Sequence, residues 1–587
     1  MKKKIIALLM CISLTAGSLM GCSSGGTKET QPGTAAKAEQ TEPATATTKV
    51  QEETPAQTGE TSASTKQPPV SKIVNGEDTR QRAIITTDLE CDDMNSMIHL
   101  SLFFNDVDVD GIIYSASQFH FVGDGEHTLG EVNPNFLCEG DAAGDVDPDA
   151  AKLTEYRPME LGWIESLWEN EYAQCYPYLS QNDPDYPTPE YLKSITKVGN
   201  VAFEGDVRED TEGSDLIKEA ILDDDPRTLY LFSWGGFNTI ARALLSIADD
   251  YKDTDQWESI LDKVYNKVVI SGYGQDNSYK DHIQELYPNL KLMNASDGYA
   301  GYFTANTGQA DSRYTFNSEW LTENIKFDHG ALLGKYGLMG DGTYYKGEPD
   351  KFQYGQTLTI DWGLSFLPAM TFDQYDFLAE GDSGGFMSLI PVGLRGLENG
   401  VYGTWAGKLT YDIGTADTRD MATMIQEGDQ NKTYSDYNFV TGADANGTKR
   451  YLLAYQLEWA ARADWCVNDY DSCNHAPIVQ VENADLSAAP GTAVELNGVI
   501  SDPDNDDYTA YWWVDEYTGT YSGNSKNLQV WNPVSENTSF TVPVDAAPGD
   551  SFCVTLQVTD KAEAPMTRYA QVIVTVTEPE APVGESK

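Results

Sequence analysis

The globular part of the chain opens on Ala83-Ile84-Ile85-Thr86-Thr87-Asp88-Leu89-Glu90-Cys91-Asp92-Asp93. Its first five residues predict a buried strand, and the apolar spacing over residues 94–104 predicts a helix. The stretch from Asp88 to Asp93, where the strand ends, contains four acidic residues, counting Asp88 and Asp93 themselves. A helix dipole accounts for one or two of them, but four converging carboxylates repel one another unless a cation or a function offsets the repulsion. Calcium, which takes carboxylate, carbonyl and water oxygens, would relieve it.

Apolar runs of the same kind recur at residues 109–114, 229–232 and 267–270. Helical spacing follows at residues 240–247, and residues 451–465 are predicted to form a helix that closes the domain. Residues 124–207 are rich in Pro, Tyr and Trp and read as loops and short helices. Alternating buried strands and helices predict an α/β fold with a mainly parallel sheet. Ligands of such folds lie outside the carboxyl ends of the strands, where the Gly- and Asp-rich loops fall.

The character of the sequence changes at His475-Ala476-Pro477. Seven short alternating runs follow, at residues 478–481, 493–499, 509–514, 528–531, 539–542, 552–558 and 570–576. Turn residues separate them, and this pattern predicts an all-β, immunoglobulin-like sandwich. Successive strand residues face opposite ways, so Trp512-Trp513 puts one indole in the core and one outside. The outer indole with Tyr508, Tyr511 and Tyr517 forms either a sugar-binding face or a packing surface.

The first residues predict export. A positive segment at residues 2–4 and an apolar stretch at 5–19 end in Leu19-Met20-Gly21-Cys22, which resembles the signal of bacterial lipoproteins. That resemblance implies removal of residues 1–21 and a lipid on Cys22. Residues 23 to about 70 carry almost no large apolar side chain, and residues 22–78 are expected to be a disordered tether. We expect an extracellular protein held on the outer face of the cell membrane by the lipid only, since no later segment has 18 consecutive apolar residues.

The amino-acid composition limits the classes of molecule that the protein is expected to bind. A formal net charge of −53 excludes nucleic acid and anionic membrane surfaces, and leaves neutral sugars, nucleosides and cations open. The residues after the tether are too many for one core, so we predict an α/β domain over residues 79–474 and the sandwich over 475–580. Cys466 and Cys473 are close enough in sequence to pair in an oxidising exterior, or to remain thiols.

The acidic cluster resembles that of the nucleoside hydrolases, D-x-D-x-x-x-D-D, with Thr86 in place of the first acid. The resemblance implies that Asp88 binds calcium and takes the proton from an attacking water. It further implies that Asp92 holds sugar hydroxyls and that Asp93 binds calcium. Two more elements match: Trp234-Gly235-Gly236-Phe237-Asn238, whose Trp234 carbonyl would bind calcium, and a late aspartate, Asp382, which would complete the calcium shell.

The amino-acid sequences of these elements are similar to those of a narrower family, the nucleoside hydrolase-like cellulose-binding surface proteins. The elements are T-T-D-x-E-x-D-D, W-G-G-x-N-T, H-G-x-L-G and E-G-D-S, and the similarity covers roughly residues 79–577, with residues 335–379 resembling an insertion. Beside Asp92, it implies five further residues that bind substrate: Glu90, Asn238, Asn277, His329 and Glu380. In many nucleoside hydrolases a histidine that helps to protonate the leaving base stands where this chain has Gly381.

The function expected is a cell-surface, calcium-dependent hydrolase of N-glycosidic, nucleoside-like or related glycosyl bonds. Two alternatives stay open: a surface protein that binds a cellulose-like polysaccharide without turnover, and a solute-binding lipoprotein. Because Gly381 cannot donate a proton, activation of the leaving group is in question, and Glu90 or His329 is the candidate replacement. His120, His127 and His282 form no evident triad with a nucleophile.

One other acidic stretch invites a metal assignment, Asp502-Pro503-Asp504-Asn505-Asp506-Asp507. The twelve-residue spacing of calcium-binding loops would need Glu where Trp513 stands. The sequence therefore favours a turn held by side-chain-to-backbone hydrogen bonds over a calcium loop.

Overall fold

The structure is a computed structural model, and it describes residues 66–138, 149–272, 275–295, 312–343, 345–348, 357–360, 370–413, 448–514, 519–524 and 527–579. The predicted signal, Cys22, most of the predicted tether and Tyr517 lie outside the described residues. No helix within the described ranges is both long and apolar enough to cross a membrane.

The large domain is built on one seven-stranded sheet. Its strands are β1 (Gln81–Thr87), β2 (Val107–Tyr114), β3 (Thr196–Val198), β4 (Leu229–Trp234), β5 (Val268–Gly272), β6 (Lys291–Ala295) and β7 (Leu409–Ile413). Their order across the sheet is β7-β6-β5-β4-β1-β2-β3. All neighbours are parallel except β7, which runs antiparallel to β6. Thr87 pairs in register with Tyr114 on one side and Trp234 on the other, so the loops after β1, β2 and β4 leave the same edge.

Successive residues of β1 enter different cores, which explains its unbroken apolar run. Ala83 and Ile85 join the core on one face of the sheet, and Ile84 joins the core on the other. A strand buried on both faces needs no polar alternation. The order of apolar residues in the sequence therefore determines how both layers attach to the central strand.

Helices cover both faces of the sheet. They are α1 (Cys91–Ser101), α2 (Leu129–Val132), α3 (Trp163–Ser166), α4 (Ala173–Asn182), α5 (Pro189–Ile195), α6 (Glu212–Leu222), α7 (Asn238–Tyr251), α8 (Trp257–Lys267), α9 (Gln284–Leu286), α10 (Ser318–Leu321), α11 (Gly330–Gly334), α12 (Ser383–Met387) and α13 (Thr448–Trp465). Short 3₁₀ or π turns are Ala150–Lys152, Leu167–Tyr172, Tyr279–Ile283, Arg313–Phe316, Thr322–Lys326, Gly400–Tyr402 and Tyr470–Ser472. Helices α6 to α8 pack on one face, and α1 and α13 on the other.

The α/β fold class predicted from sequence is confirmed, with local differences. Helix α1 begins at Cys91, three residues before the predicted start, because Asp92 and Asp93 lie in its first turn, where the helix dipole favours acids. The short strand β3 lies inside the stretch that was predicted to hold only loops and helices. Two small hairpins also add strands that no alternation predicted, Ile73–Val74 with Glu77–Asp78 and Thr357–Ile360 with Met370–Asp373.

The C-terminal part is a sandwich of two four-stranded sheets, as predicted. Its strands are β8 (Ile478–Val481), β9 (Asp485–Ala488), β10 (Ala493–Ser501), β11 (Tyr508–Trp513), β12 (Val530–Trp531), β13 (Asn537–Thr541), β14 (Ser551–Asp560) and β15 (Thr567–Val576). The sheet orders are β8-β10-β13-β12 and β9-β15-β14-β11. Strand β9 was missed, because Asp485-Leu486-Ser487-Ala488 is short and lacks a strong apolar alternation.

The sandwich packs firmly against the large domain. Met566 and Tyr569 belong to the apolar core that α13 covers, and Trp513 packs against the same core. The guanidinium of Arg450 lies 4.3 Å from the centre of the Trp513 ring. One indole of the Trp512-Trp513 pair was expected inside the sandwich, and the structure shows that it is Trp512. The outer indole therefore contacts the neighbouring domain, which favours the packing alternative for that residue.

None of the six described cysteines forms a disulfide: Cys91, Cys138, Cys175, Cys466, Cys473 and Cys553. The structure thus contains no bond between Cys466 and Cys473. The Cys473 thiol instead lies 3.8 Å from the carbonyl of Asn468, and that of Cys466 lies 3.8 Å from the carbonyl of Arg462.

Candidate active site

The site begins at the turn between β1 and α1. Leu89, in the middle of this turn, has a φ of 64°, a left-handed conformation that is costly for a residue with a branched side chain. Thr87 holds the turn by accepting a hydrogen bond from the backbone N–H of Leu89 at 3.0 Å. Its hydroxyl donates to Asp93 Oδ1 at 2.5 Å. The turn therefore brings the acids before and after Leu89 to the same edge of the sheet.

Three carboxylates converge at this edge. Asp92 and Asp93 lie in the first turn of α1, and Asp382 precedes the first residue of α12. One carboxyl oxygen from each lies within 4.8 Å of the others, and all three residues are buried. Asp382 is nearly 300 residues away along the chain, so its arrival depends on the tertiary fold.

Asp88 adds a fourth buried carboxylate. Its residue is fully buried, and neither carboxyl oxygen accepts a well-formed hydrogen bond from the described residues, although Ser117 lies close by. Burial, followed by the negative charge of Glu90, raises the pKa of Asp88 to about 7. A buried carboxylate without donors is costly unless a positive charge compensates it.

Burial also raises the pKa values of Asp92, Asp93 and Asp382 well above the ordinary range. The second cause is mutual repulsion: Glu90 acts on Asp92, Asp382 acts on Asp93, and Asp92 acts on Asp382. A divalent cation would remove this penalty, because it replaces the lost hydration of the carboxylates with a direct charge interaction. The residues present fit calcium, which prefers hard oxygen ligands and tolerates irregular geometry.

Two glycines allow the backbone to approach these acids closely. A Cβ on Gly235 would lie 3.0 Å from the Asp88 side chain, and one on Gly381 would lie 2.3 Å from Asp92 Oδ2. The Gly235 turn follows Trp234, whose backbone pairs in register with Thr87 at the base of the site. The histidine that many nucleoside hydrolases carry at the position of Gly381 has no room here unless Asp92 moves.

A second cluster lies beside the carboxylates and was not found from sequence. Glu90 Oε1 accepts hydrogen bonds from His120 Nε2 at 3.1 Å and from Arg157 Nη1 at 3.0 Å. Arg157 also donates to Glu348 at 2.7 Å, and Glu348 accepts from the backbone N–H of Cys91 at 3.0 Å. The backbone carbonyl of Arg157 lies 2.6 Å from His120 Nδ1.

The electrostatics of this cluster differ from those of the aspartates. Burial and the Arg157 charge lower the pKa of His120, but hydrogen bonds to Glu348 and Glu90 outweigh them and raise it to about 9. Burial raises the pKa of Glu348, yet Arg157 and His120 lower it to about 2. His120 is therefore an imidazolium at neutral pH. Two cations already neutralise the acids here, so these residues do not suit a metal ion.

Two of the residues expected to bind substrate, Glu90 and Asp92, lie at the site. The two predicted asparagines, Asn238 and Asn277, instead form hydrogen bonds with other residues of the protein. Asn238 donates to the carbonyl of Asn200 at 2.7 Å and accepts from Ser115 at 2.7 Å. Asn277 donates to Asp281 at 2.6 Å and accepts from Asn133 at 2.8 Å. Both residues are buried and hold loops together. In the structure both side chains position loops, and their contact with substrate stays a prediction.

The side chains of Glu380 and His329 also contact groups other than the carboxylates of the site. Glu380 is fully buried and accepts hydrogen bonds from Tyr336 and from Ser383, and its carboxylate contacts His99 at 2.9 Å. His329 contacts the carbonyl of Phe327 at 2.6 Å, and its other ring nitrogen lies 3.4 Å from Asp464. The resemblance implied that Glu380 binds substrate; in the structure its carboxylate is engaged by His99, Tyr336 and Ser383.

Comparison with known protein families shows which family this chain is related to. Residues 82–409, more than half of the chain, match the family described as cellulose-binding Sde182, nucleoside hydrolase-like domain. The chain belongs to this family. Residues 493–576 match the companion family, the C-terminal domain of the cellulose-binding protein Sde0182. The order of these two matches agrees with the order of the α/β domain and the sandwich, and the resemblance predicted from the motifs is confirmed at the level of the family.

Among solved structures, the Sde182-family chain is similar to a nucleoside hydrolase-related protein of Saccharophagus degradans, described as associated with carbohydrate metabolism. The TM-score is 0.59 at 24% identity, over 85% of this chain and 100% of the other. At that identity the likeness shows the fold alone. The PKD domain of the KIAA 1837 protein shares 21% identity over 18% of this chain and 87% of its own, with a TM-score of 0.13 that supports no conclusion. No curated protein matches the chain.

Proposed function

We propose that this protein is a cell-surface hydrolase that cleaves an N-glycosidic, nucleoside-like or related glycosyl bond with the help of calcium. One observation carries the proposal: Asp88 is fully buried, without a well-formed hydrogen bond to its carboxyl oxygens from the described residues, beside three further buried carboxylates. Such an arrangement is expensive for stability alone and is typical of a site that binds a charged ligand.

The calcium ligands would be Asp88, Asp93, Asp382 and the carbonyl of Trp234. When bound, the ion supplies positive charge that favours ionised carboxylates and a more acidic water. Asp88 would then take a proton from the attacking water as general base, because its carboxyl oxygens accept no well-formed hydrogen bond from the described residues. Asp92 lies next to it and holds sugar hydroxyls as a hydrogen-bond acceptor. Glu90, fixed by His120 and Arg157, borders the same side of the site.

Protonation of the leaving group has less support in the structure than activation of the attacking water. Gly381 offers no proton, and His329 contacts Asp464 in a different part of the domain. Glu90 is engaged as an acceptor by two donors. General acid catalysis typically contributes about 10²–10⁴-fold, so substrates whose leaving group needs protonation are expected to react slowly.

The test is sugar release by the mature protein from inosine, adenosine and a nitrophenyl riboside, after calcium removal and after its return. We expect turnover of the nitrophenyl riboside at least about 10²-fold faster than that of inosine, dependence on calcium, and loss of turnover in Asp88→Asn. Asp253→Asn, which changes an exposed acid, is the matched control. Calcium-independent turnover, or equal rates in Asp88→Asn and wild type, would overturn the proposed chemistry.

A second function, binding of a cellulose-like polysaccharide by the sandwich, is favoured by a separate observation. Trp531 on β12 is 63% exposed and Tyr511 on β11 is 49% exposed, whereas Trp513 is covered by the large domain. Flat aromatic faces suit sugar rings. We therefore assign the proposed sugar contact to Trp531 and Tyr511 in place of Trp513. Binding without turnover, in the test above, would leave this as the protein's main activity.

The proposed setting is the outer face of the bacterial cell membrane, with a lipid on Cys22 as the anchor. This proposal rests on the sequence of the first 22 residues. A solute-binding lipoprotein remains the alternative, and it would require tight binding of a small sugar or nucleoside without hydrolysis.

A further inference from the structure

A third acidic cluster lies outside the proposed active site, in the sandwich loop between β10 and β11. Asp502, Asp504 and Asp506 each place a carboxyl oxygen within 4.8 Å of the other two. The turn expected from the sequence is present, because Asp502 Oδ1 accepts the backbone N–H groups of Asp504 at 2.9 Å and of Asp506 at 3.0 Å. The turn explains the conformation of the loop but not the convergence of its carboxylates.

The turn leaves the second oxygen of Asp502 unused. Asp502 is only 7% exposed, and its Oδ2 has no hydrogen-bond partner among the described residues. The side-chain oxygen of Asn474, on the neighbouring linker, is likewise buried without a donor in the described part of the chain. Asn474 donates to Asp560 at 3.1 Å, and the charge of Asp502 contributes to a pKa of about 6 at Asp560, after burial. A buried acceptor without a donor is costly, so Asp502 Oδ2, which belongs to the cluster, favours a cation as its partner.

The protein's own cations do not complete this loop. The ammonium of Lys66 lies 3.2 Å from Asp504, and His475 also contacts Asp504, through its backbone N–H at 2.6 Å and through its ring. Among the described ion pairs, those at this loop run to Asp504 and none reaches Asp502 or Asp506. Two of the three carboxylates thus keep an uncompensated charge.

We propose that Asp502, Asp504 and Asp506 bind a divalent cation, calcium by their all-oxygen donor set, at the junction of the sandwich with the large domain. Carboxylates at alternate positions are also how helix–loop–helix calcium sites supply their first ligands. The loop is continuous with the linker: Asp504 contacts His475, and His475 Nε2 lies 3.0 Å from Asn182 Oδ1 at the end of α4. Bound calcium therefore fixes the linker where the chain passes between domains.

The experiment counts the calcium ions bound by the mature full-length protein, by isothermal titration, and measures terbium luminescence excited through the aromatic rings. Tyr470 and Trp465 serve as antennae, since their rings lie 3.9 and 5.2 Å from the His475 ring. Asp502→Asn keeps an oxygen for the turn and removes the charge. Asp506→Asn removes the charge of a second carboxylate, one that is less buried. Asp507→Asn, in the same loop but outside the cluster, is the matched control.

We expect wild type and Asp507→Asn to bind one ion more than Asp502→Asn or Asp506→Asn, and these two variants to lose the terbium emission of this loop. An unchanged ion count and emission in Asp502→Asn and Asp506→Asn would overturn the inference and leave a simple turn. Asp93→Asn separates the two sites: it loses the ion of the proposed active site and keeps the emission of the loop. If Asp93→Asn binds as many ions as wild type, the calcium of the proposed function fails while the loop site stands.

Discussion

Asp88 and its neighbours Asp92, Asp93 and Asp382 are held in a protonation state that depends on a counter-ion. For Asp88, burial is the main cause that raises the pKa from 3.8 to about 7. A group with a raised pKa in the folded state binds protons more tightly than in the unfolded chain. Its contribution to stability is complete below the ordinary pKa and is lost as the pH rises through the folded value. The metal-free protein is therefore expected to lose stability between about pH 4 and 7.

Calcium reverses this loss, because it stabilises the ionised carboxylates. We predict that added calcium raises the free energy of unfolding little at pH 5 and strongly at pH 8, by about 2.7 kcal/mol at a concentration 100 times the Kd. Thermal unfolding of metal-stripped protein, with and without calcium, measures the difference at each pH. Asp93→Asn should remove the part of the gain that belongs to this site, and Asp253→Asn should keep it. A calcium effect that is the same at pH 5 and pH 8 would contradict the assignment.

Packing against Asp92 requires a glycine at position 381. A Cβ at this position would lie 2.3 Å from Asp92 Oδ2, and Asp92 is fixed in the first turn of α1. We predict that Gly381→Ala lowers the free energy of unfolding by about 1–3 kcal/mol and weakens calcium binding. Urea denaturation and calcium titration test it. Gly334→Ala is the control, because no atom lies within 4 Å of a Cβ there. Equal stability of the two variants would show that Asp92 moves aside freely.

At the scale of elements, strand β12 presents the most exposed tryptophan of the sandwich. Trp531 is 63% exposed, although burial of so large a ring is favourable. We predict that Trp531→Ala weakens binding of the mature protein to insoluble cellulose by about tenfold or more, which corresponds to about 1.4 kcal/mol. Pull-down isotherms measure the change. Tyr314→Ala removes an exposed aromatic from the large domain and should bind as wild type does. Undiminished binding of Trp531→Ala would place the sugar contact elsewhere.

A network of buried charges explains why the sandwich is not an independent appendage. Glu458 on α13 pairs with Arg568 on β15 and with Arg462, which in turn pairs with Asp106. Burial raises the pKa of Asp106, but Arg462 and Lys72 lower it far below the ordinary range. Removing one member would leave an uncompensated buried charge, which typically costs about 3–5 kcal/mol. The network thus couples α13 to the strand that carries Tyr569 into the core of the large domain.

For the whole molecule, the proposed location at the membrane rests on the sequence of the first 22 residues. We predict that Cys22→Ser moves the protein from the membrane fraction to the soluble extracellular fraction, because a lipid on this sulfur is the proposed anchor. Fractionation of cells that produce the protein measures the shift. Ser23→Ala, the neighbouring substitution, should leave the protein in the membrane fraction. Retention of Cys22→Ser on the membrane would refute the lipid anchor.

The sequence alone determined the parts of this protein that depend on neighbouring residues. The runs around Ile84 and Leu231 enter both cores of the sheet, so their composition identified the α/β layers. The alternation after His475 identified the sandwich. Asp88, Asp92 and Asp93 were found together because they lie in one turn. Trp234 was assigned to the site by the resemblance of its Gly-Gly turn to a family element, and in the structure it pairs in register with Thr87.

Only the tertiary structure decided which distant side chains join that turn. His120, Arg157 and Glu348 come from three separate loops, and no local pattern predicts that they contact Glu90. Conversely, Glu380 lies two residues from Asp382 but is directed into the core. The physical reason is the range of the interactions: strand and helix patterns reflect contacts over a few residues, whereas the direction of a loop side chain is decided by packing and charge compensation across the whole domain.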